Sequence, residues 1–567
     1  MAATAHVDTF VREHLPPRGQ WPEFVFERPE FVYPERLNCA TELLDRRLAG
    51  PGGAQAGDRP ALHGIVGGSA CTWTYRQLLE QANRIAHVLT ADLGLVPGNR
   101  VLLRAPNNPM LAACWLAVMK AGGVAVSTMQ LLRARELAQI VGKAKVGLAL
   151  CDARLVAELE AAAGECPELA RIVCFNGGGG GDSLEALAAS KPVAFADVAT
   201  AADDPALIAF TSGTTGAPKA AVHFHRGVMV MCDGLPRAVV QPGADDVFCG
   251  TPPLAFGFGL AVLLCVPLRF GASAVLCEKL TPAGLLQTIR DYRCTITATV
   301  PTFLGQMAAL ASDYDLSSLR KVISSGEALP DATRRRFRQA TGLEPIDGFG
   351  ATELLQTFIA HAPERVRAGA TGYAIPGYQA RVVDAAGVPC APGVVGQLAV
   401  KGPSGCLYLD DPRQGDYVRD GWNVTGDAFS VDDDGYFYFQ GRADDLIVSA
   451  GYNIGGPEVE STLLGHEAVA ECAVVGLPDE QRGNVVSAFV VLKPGYPADE
   501  RTAQALQDYV KATIAPYKYP RRIEFVAALP RGETGKLLRC KLREAPYAVR
   551  PAVAAAGRSA MPARPED

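Results

Sequence analysis

The first third of the chain alternates between segments with helical spacing and short apolar runs of strand length. The predicted elements are, in order, a helix at 75–90, a strand at 101–104, a helix at 109–121, a strand at 146–151, a helix at 153–163 and a strand at 171–175. Because strands separated by helices pair in parallel through crossover connections, this pattern predicts an α/β fold with parallel-rich sheets.

The C-terminal part of the chain follows another pattern, in which strands succeed one another. Strands are predicted at 472–476 and 485–492, a helix at 501–513 and a further strand at 522–526. This pattern predicts a small α+β domain after the large one. Residues before Arg36 are rich in proline and aromatic side chains, which favours an extended arm laid over a surface.

Bulk composition narrows the classes of function. A chain of 567 residues is too long for one hydrophobic core, so two or more domains are expected. Its 54 Lys and Arg residues are scattered and its net charge is −6, so we predict no nucleic-acid partner. None of the 15 cysteines forms a Cys-x-x-Cys pair and several lie in apolar runs, as expected of reduced core residues in a cytoplasmic protein.

The sequence shows neither a signal peptide nor a membrane-spanning segment. The stretch from Met1 to Asp8 has no basic start followed by an apolar core, so no signal peptide is expected. The longest apolar window, 110–126, is interrupted by Lys120, Gly122 and Gly123 and is short for a bilayer. We therefore predict no membrane partner and a cytoplasmic location.

A segment rich in glycine and hydroxyl side chains follows a buried run at 206–210. Its glycines let backbone N–H groups turn toward an anion, its hydroxyls add donors, and its lysine adds a mobile cation. A Walker loop is excluded because proline stands before the lysine, and a polar surface turn seldom has this composition after a buried strand. The predicted phosphate-binding residues are Thr211, Ser212, Gly213, Thr214, Thr215, Gly216 and Lys219.

A helix is predicted to follow this segment over 223–234. His223 and His225 at its start have the residue type of metal ligands. No third ligand is evident nearby, and structural or surface histidines are far commoner, so we reject a metal site there.

The segment from Thr211 to Lys219 resembles the signature loop of the adenylate-forming superfamily, which includes acyl-CoA and aryl-CoA ligases, luciferases and the adenylation domains of peptide synthetases. The resemblance spans Asn38 to Arg543. It implies an enzyme whose small-molecule partners are a carboxylic acid, ATP and CoA, with Mg²⁺ as cofactor. The carboxylate attacks the α-phosphate to give an acyl-adenylate and pyrophosphate, and the CoA thiol then displaces AMP. A homodimer is compatible with this resemblance.

Two downstream motifs carry most of the nucleotide site in this resemblance. The stretch 324–330 is similar to the family's loop beside the adenine, which implies contacts from Gly326, Glu327 and Ala328. The stretch 347–353 resembles the family's aromatic-Gly-x-Thr-Glu element, although a Thr-Glu pair alone could be a helix start with a solvated acid. The implied roles are Asp347 in nucleotide binding, Phe349 as a face for the adenine ring, Thr352 as a donor to the α-phosphate and Glu353 as an oxygen ligand for Mg²⁺.

The remaining motifs surround the predicted domain boundary. By resemblance, Asp427 accepts both ribose hydroxyls and Arg442 contacts ribose or phosphate. Asp444 is the hinge at which a mobile C-terminal domain begins. The predicted domains are 1–443, which binds AMP and the acyl group and includes a β-barrel-like part, 444–548, and a disordered tail at 549–567.

The C-terminal domain contributes to both halves of the implied reaction. Lys536, in a stretch similar to the family's terminal Pro-Arg-x-x-x-Gly-Lys loop, is the implied catalytic lysine. Its ammonium would neutralise charge on the α-phosphate and on the substrate carboxylate. In the second half the domain would rotate about Asp444 and present Gly451 and Tyr452 near the pantetheine channel.

The acid is predicted from a short segment, Ala255 to Gly257, and from the N-terminal arm, which look most like those of 2-aminobenzoate–CoA and benzoate–CoA ligases. An aromatic edge beside glycines makes a flat apolar slot that suits a planar ring, although Phe256 could also be ordinary core. The predicted acyl-pocket residues are Phe256, Gly257, Ser325 and Gln356, with Gln356 as a partner for an ortho substituent.

Three other readings stay open at this stage. A medium-chain fatty acyl-CoA synthetase would share every nucleotide residue and differ in pocket depth. An adenylation module that serves its own carrier is disfavoured, since no carrier unit follows the C-terminal domain and the carrier-like stretch at 181–184 precedes the phosphate loop. A non-catalytic nucleotide-binding relative is disfavoured because it would not need Lys536.

Overall fold

The computed structural model describes residues 3–50, 52–66, 69–177, 180–211, 218–442, 445, 447–449, 452–479, 483–514, 516–532 and 537–544. The chain divides into two compact units, Met1–Asp444 and Asp445–Asp567. The assignment of separate functions to these units remains a prediction.

The described strands, in chain order, are β1 (Pro60–Val66), β2 (Ser69–Thr74), β3 (Arg100–Arg104), β4 (Val124–Thr128), β5 (Leu148–Asp152), β6 (Arg171–Phe175), β7 (Pro205–Thr211), β8 (Lys219–Phe224), β9 (Val247–Gly250), β10 (Ser273–Val275), β11 (Ile296–Thr299), β12 (Lys321–Ser325), β13 (Ile346–Ala351), β14 (Gln356–Ala360), β15 (Tyr373–Ala374), β16 (Gln379–Val383), β17 (Gly396–Lys401), β18 (Val418–Arg419), β19 (Trp422–Val431), β20 (Phe437–Arg442), β21 (Ile447–Ser449), β22 (Tyr452–Ile454), β23 (Val469–Asp479), β24 (Gly483–Leu492) and β25 (Arg522–Phe525).

The described α-helices, in the same order, are α1 (Phe10–Glu13), α2 (Arg46–Ala49), α3 (Gly53–Asp58), α4 (Tyr75–His87), α5 (Pro109–Lys120), α6 (Ala134–Ala144), α7 (Val156–Glu165), α8 (Leu184–Ala189), α9 (His225–Asp233), α10 (Gly257–Leu260), α11 (Val266–Phe270), α12 (Pro282–Tyr292), α13 (Pro301–Leu310), α14 (Asp331–Thr341), α15 (Gln414–Tyr417), α16 (Gly456–Leu463), α17 (Glu500–Thr513) and α18 (Arg539–Glu544).

The first sheet of the large unit has six strands in the order β6-β5-β3-β4-β7-β8. Its strands pair in parallel except at the edge, where β8 runs antiparallel to β7. The predicted strands at 101–104, 146–151 and 171–175 correspond to β3, β5 and β6. Strand β4 was not predicted, because it ends the apolar window 110–126 and cannot be told there from a continuing helix.

That apolar window consists of helix α5, a turn, and the start of β4. Asn108 caps the helix, its side-chain oxygen accepting from the N–H of Leu111 at 3.0 Å, and Pro109 occupies the first turn. Every residue of α5 is buried, including Lys120, whose ammonium is paired with Asp45 and Asp197. The window is therefore a core helix, and among the described residues no helix is long and apolar enough to span a bilayer.

The second sheet of the large unit has nine strands in the order β15-β14-β13-β12-β11-β9-β10-β1-β2. Its centre is parallel, and antiparallel strands lie at both edges. The third sheet is antiparallel throughout and contains β16 to β20. Parallel-rich sheets with crossover helices and a barrel-like antiparallel part confirm the predicted fold class.

The small unit has one sheet in the order β22-β21-β24-β23, with β25 parallel to β24. Its strands β23 to β25 and helix α17 lie where the sequence predicts them. One face of the sheet buries an apolar cluster that includes Val474, Val486, Val490, Leu506 and Val510. The small unit thus has a core of its own.

The N-terminal arm lies on the surface of the large unit, as predicted, and its described part, from residue 3, has as regular elements only the short helix α1 and brief 3₁₀ turns. Phe24 and Arg36 form isolated β-bridges with Gly402 and Ala201. The cysteines are free and most are buried, whereas Cys540 is exposed.

The prediction of a helix from residue 223 was wrong at its start. The structure continues β8 through Phe224, and α9 begins at His225. His223 pairs with Leu207 of β7, so cross-strand pairing extends the strand by two residues beyond the predicted boundary.

Candidate active site

The predicted phosphate loop connects the two antiparallel strands β7 and β8. Thr211 stands directly opposite Lys219 in their register, so the ends of the loop are held together by the sheet. Ser212, Gly213, Thr214, Thr215 and Gly216 lie outside the described residues. The structure therefore places the two ends of the predicted site.

Side chains alternate between the two faces of a β-strand, so every second residue of β8 lies on the same face. Lys219 and His223 point to the same side as Ala221, which forms a bridge with Tyr408. The alternate residues Ala220, Val222 and Phe224 belong to an apolar core cluster. One face of this hairpin thus carries Thr211, Lys219, His223 and Tyr408.

A single 3₁₀ turn, Thr352–Leu354, connects β13 to β14 and lies over this face. One carboxylate oxygen of Glu353, Oε1, accepts a hydrogen bond of 2.7 Å from the hydroxyl of Tyr408. The Nζ atom of Lys219 lies 5.1 Å from the centroid of the same ring. The structure therefore brings the predicted phosphate-binding lysine and the predicted metal ligand to the two ends of one tyrosine side chain.

His223 lies on this face of the hairpin. Burial lowers the pKa of His223 to about 4, although the main chain of Thr352 acts on this pKa in the opposite direction, so the imidazole is neutral. A buried, neutral imidazole in a strand is a structural residue. No group of three or more potential ligands from His, Cys, Asp and Glu occurs within the described ranges.

Phe349 lies in an aromatic cluster that joins two sheets. Its ring centroid is 4.9 Å from that of Phe429, 5.6 Å from Phe358 and 5.7 Å from Phe439. Phe429 and Phe439 belong to β19 and β20, the strands that carry Asp427 and Arg442. The cluster therefore fixes the predicted adenine face relative to the predicted ribose site.

Asp427 and Arg442 are cross-strand partners on β19 and β20. Nη1 of Arg442 donates to Oδ1 of Asp427 at 3.1 Å, and the guanidinium is half exposed whereas the carboxyl is buried. Burial raises the pKa of Asp427 to about 6, although the charge of Arg442 acts in the opposite direction. The pair thus offers a carboxylate and a cation at one position.

The segment after β12 presents main-chain groups at the end of the sheet. Ser325 is buried and its hydroxyl donates to the carbonyl of Gly348 at 2.8 Å, which ties β12 to β13. Gly326 has a φ of +93°, a conformation that favours glycine, and it is exposed, as is Ala328. Glu327 is partly exposed. This open backbone fits the predicted contact with a flat base.

Asp347 is buried next to this segment, opposite Ser324 in the register of β12 and β13. Burial raises the pKa of Asp347 to about 8. A carboxyl of this kind is neutral at pH 7 and can both donate and accept hydrogen bonds. The predicted nucleotide-binding role of Asp347 would use those two capacities.

The predicted acyl slot lies between β9 and α10. Asn107 holds its first residues, because its amide donates to the carbonyl of Pro252 at 3.0 Å and accepts from the N–H of Leu254 at 2.8 Å. A Cβ atom on Gly257 would lie 2.9 Å from Cδ1 of Leu355. Phe256 is partly exposed beside this contact. Gly257 therefore packs closely against Leu355 beside Phe256, and the acyl slot stays a prediction.

Gln356 has protein partners that the sequence did not indicate. Its amide nitrogen donates to the carbonyl of Val230 at 2.8 Å, and its amide oxygen accepts from the N–H of Thr357 at 2.9 Å. The side chain is buried and lies against Gly234. Its direct structural role is to join β14 to helix α9.

Several predicted site residues cannot be placed. Lys536, Asp444 and Gly451 lie outside the described residues. Tyr452 is described only as the first residue of β22, in the small unit. The roles of these four residues remain predictions.

Two residues of this site were missed by sequence reasoning. Tyr408 lies in an apolar run and meets Glu353 across a long separation in sequence, so no local pattern could identify it. Asn107 does have a local signal, the Asn-Asn-Pro triplet that precedes α5, but that signal indicates only a helix cap.

Glu353 fits a magnesium ion that arrives with phosphate. Tyr408 occupies one lone-pair region of its carboxylate, and the other oxygen keeps its acceptor capacity. Mg²⁺ is commonly held by one or two carboxylates together with substrate phosphates and water. A single carboxylate beside Lys219 is therefore a suitable donor set.

The chain matches two family models and is similar to known ligases over most of its length. The family model described as AMP-binding enzyme matches residues 52–407, and that described as AMP-binding enzyme C-terminal domain matches residues 458–536. The benzoate–CoA ligase of Thauera aromatica is 36% identical, with 91% of this chain and 98% of that protein covered. The mitochondrial acyl-coenzyme A synthetase ACSM5 of Homo sapiens is 33% identical, with 90% and 91% covered.

A solved structure has the same fold over nearly the whole chain. The crystal structure of the anthranilate CoA ligase AuaEII in complex with anthranoyl-AMP superposes with a TM-score of 0.85 at 30% identity. The match covers 91% of this chain and 98% of that one. The similarity therefore extends over both units of the chain.

Proposed function

The chain belongs to the AMP-binding enzyme family and is an acid–CoA ligase, and from this premise we propose that it activates an aromatic carboxylic acid of the benzoate or 2-aminobenzoate type. The acid would react with ATP to give an acyl-adenylate and pyrophosphate. The CoA thiol would then attack the acyl carbon, release AMP and form the thioester.

The first half-reaction brings a carboxylate to a polyanion, so its barrier is largely electrostatic and positional. Lys219 and Thr211, at the ends of the phosphate loop, would hold the pyrophosphate as it leaves. Thr352 would donate to the α-phosphate, and Lys536 would neutralise charge on that phosphate and on the attacking carboxylate. Each of these groups acts by position and charge alone, without covalent chemistry.

The nucleotide would lie along the end of the parallel sheet. Asp427 would accept the ribose hydroxyls, with Arg442 beside it on the neighbouring strand. The exposed backbone at Gly326, Glu327 and Ala328, together with Phe349 and Asp347, would receive the base.

Glu353 would hold Mg²⁺ at its carboxylate, one oxygen of which accepts from Tyr408. When bound, the ion would neutralise phosphate charge and orient the leaving group. Glu353 would in turn be held by the hydroxyl of Tyr408.

One observation carries the aromatic assignment. Gly257, next to the partly exposed Phe256, faces Leu355, whose Cδ1 atom would be 2.9 Å from a Cβ at position 257. An aromatic edge and a glycine facing a branched apolar side chain suit a flat ring better than a flexible chain. The similarity to relatives named for benzoate and anthranilate supports the same class.

A medium-chain fatty acid is the second candidate. The relative ACSM5 is 33% identical over nearly the same length, and the nucleotide residues do not distinguish the two classes. Pocket depth beyond Leu355 would decide between a ring and a chain.

Turnover with three acids tests the proposal. We expect kcat/KM for benzoate or 2-aminobenzoate to exceed that for octanoate by more than about tenfold, as a mismatched apolar pocket allows. AMP formation with ATP and CoA is the measurement. A preference for octanoate would move the protein to the medium-chain class, and no AMP formation with any acid would refute acid activation.

Two glutamate variants make this test specific to the site. Glu353→Gln should lower the rate of pyrophosphate exchange by at least about a hundredfold, because a charged ligand is lost. Glu364→Gln, at an exposed position, should leave the rate unchanged. Equal rates of pyrophosphate exchange in the two variants would show that Glu353 is not part of the site.

A further inference from the structure

Tyr408 occupies a position that the proposed reaction does not explain. Its side chain is fully buried, its hydroxyl donates to Oε1 of Glu353 at 2.7 Å, and its ring lies 5.1 Å from Nζ of Lys219. A buried tyrosine hydroxyl needs a hydrogen-bond partner, but the partner could have been a main-chain carbonyl. Here the partner is the carboxylate assigned to the metal.

The main chain on both sides of Tyr408 is fixed by β8. The N–H of Val222 donates to the carbonyl of Leu407 at 2.8 Å, and the N–H of Leu409 donates to the carbonyl of Ala220 at 2.8 Å. These bonds add the segment around Tyr408 to the edge of the sheet that carries the phosphate loop. Tyr408 therefore moves with Lys219 as one rigid element.

A buried glutamine fixes Tyr408 from the other side. Oε1 of Gln414 accepts from the N–H of Tyr408 at 2.8 Å. Nε2 of Gln414 donates to the carbonyl of Cys406 at 3.0 Å and to that of Gln20, in the N-terminal arm, at 2.9 Å. The ring of Tyr417 lies edge-on, with centroids 5.7 Å apart. The position of the hydroxyl is thus set by the fold before any ligand binds.

Two opposite charges, those of Lys219 and Glu353, lie close to the Tyr408 side chain. No ion pair joins Lys219 to Glu353 in the part of the chain that the structure describes, although both groups contact the same tyrosine. A direct pair would consume the donors of the ammonium and the acceptors of the carboxylate, which phosphate and metal require. Because no direct pair forms among the described residues, both groups keep that capacity.

We propose that Tyr408 is a positioning residue of the adenylation site, which holds Glu353 in a metal-binding orientation and keeps it apart from Lys219. This assignment rests on the proposed function of Glu353. The hydroxyl fixes one carboxylate oxygen and leaves the other for the ion that bridges to phosphate, while the ring face holds the ammonium by a cation–π contact.

The test compares Tyr408→Phe with Tyr417→Phe. The first variant removes the hydroxyl and keeps the ring. The second removes a neighbouring buried hydroxyl that has no hydrogen-bond partner among the described residues, and so controls for loss of a buried oxygen nearby. Thermal unfolding of both variants should remain cooperative, which establishes that they fold.

Binding of Mn²⁺, used as a spectroscopic substitute for Mg²⁺, supplies a measurement that does not depend on turnover. Electron paramagnetic resonance would follow free Mn²⁺ in the presence of a non-hydrolysable ATP analogue. We expect Tyr408→Phe to weaken Mn²⁺ affinity by about tenfold, the usual effect of losing a group that orients a metal ligand. Tyr417→Phe should leave the affinity unchanged. Unchanged affinity in Tyr408→Phe, or an equal loss in both variants, would overturn the proposal.

A double variant that combines Tyr408→Phe with Glu353→Gln shows whether Tyr408 acts through Glu353 or disturbs the site in another way. If Tyr408 acts through Glu353, adding Tyr408→Phe to Glu353→Gln should cause no further loss of Mn²⁺ affinity. A further loss of the full tenfold would show that Tyr408 acts elsewhere. Should the wild-type protein bind Mn²⁺ with the analogue yet activate no acid, the proposed function fails while this comparison still decides the role of Tyr408.

Discussion

Asp427 shows how burial and a neighbouring charge compete at one carboxyl. Burial raises its pKa to about 6, against the influence of Arg442. Above that pH the carboxylate has acceptors for two ribose hydroxyls, and below it the proton removes part of this capacity. We expect ATP affinity to weaken as the pH falls through 6, by about tenfold one unit below the pKa if only the ionised form binds.

Calorimetric titration of ATP between pH 5 and pH 8 measures this dependence. Asp427→Asn serves as the control, because its amide does not titrate and its profile contains only the titration of the nucleotide. The variant should bind weakly at every pH. If the wild-type and variant profiles run parallel, Asp427 is not the titrating acceptor.

The raised pKa of Asp427 makes the stability of the ligand-free protein depend on pH in the opposite direction from ATP affinity. A carboxyl whose pKa is raised on folding binds its proton more tightly in the folded state, so its contribution to the free energy of unfolding falls as pH rises toward 6. The conditions that favour nucleotide binding at Asp427 are therefore those in which the carboxyl costs stability. A buried group with such opposing demands is typical of a functional site.

At the scale of elements, the turn between β13 and β14 carries the most information about the site. Leu355 has a φ of +52°, which is unusual for a bulky residue, and its side chain is buried against the acyl slot. The strand that follows begins with Gln356, whose amide joins it to α9. This turn therefore connects the predicted metal ligand, the predicted acyl slot and helix α9, which follows the hairpin of β7 and β8.

Replacing Gln356 tests that connection. Gln356→Ala removes the hydrogen bond to Val230, and we expect the free energy of unfolding to fall by about 1–3 kcal/mol. Because the amide is already bonded to main-chain groups, kcat/KM should fall to a similar extent for benzoate and 2-aminobenzoate. Urea unfolding and turnover with both acids are the measurements.

An exposed glutamine on another strand provides the matched control, since Gln379→Ala on β16 should change neither quantity. A loss confined to 2-aminobenzoate would assign Gln356 to the ortho substituent, as the sequence suggests. A lower free energy of unfolding with unchanged kcat/KM for both acids would show that the hydrogen bond to α9 does not influence the acyl slot.

The sequence predicted elements well where local pattern determines them. Helix α5 and strands β3, β5 and β6 have the apolar spacing and length of their types. The phosphate-binding role of the segment from Thr211 to Lys219 stays a prediction. Prediction from sequence failed where contacts between distant residues determine the secondary structure or the surroundings of a side chain. Pairing with Leu207 makes His223 part of a strand, and Tyr408 acquires its role from a partner distant in sequence.

At the scale of the whole molecule, the chain divides into units at Asp444 and Asp445. Asp444 is the predicted hinge, and rotation of the small unit between the two half-reactions is a hypothesis motivated by that position. Asp444→Pro would restrict φ at the hinge. We expect pyrophosphate exchange to stay within about threefold of wild type and thioester formation to fall by more than about a hundredfold, as expected when a conformational step is blocked.

Lys536→Ala gives the reverse pattern if its assigned role is right. That variant should lose pyrophosphate exchange and still convert a supplied acyl-adenylate to the thioester. Equal loss of both half-reactions in Asp444→Pro would refute the rotation, and unchanged exchange in Lys536→Ala would refute the assignment of the lysine.

The bond from Gln414 to the carbonyl of Gln20 ties the surface-lying N-terminal arm to a buried side chain. Removal of the chain up to Trp21 would delete an acceptor of the Gln414 amide, which in turn accepts from the N–H of Tyr408, the residue that donates to Glu353. Shortening the N-terminus would therefore alter the surroundings of the predicted metal ligand.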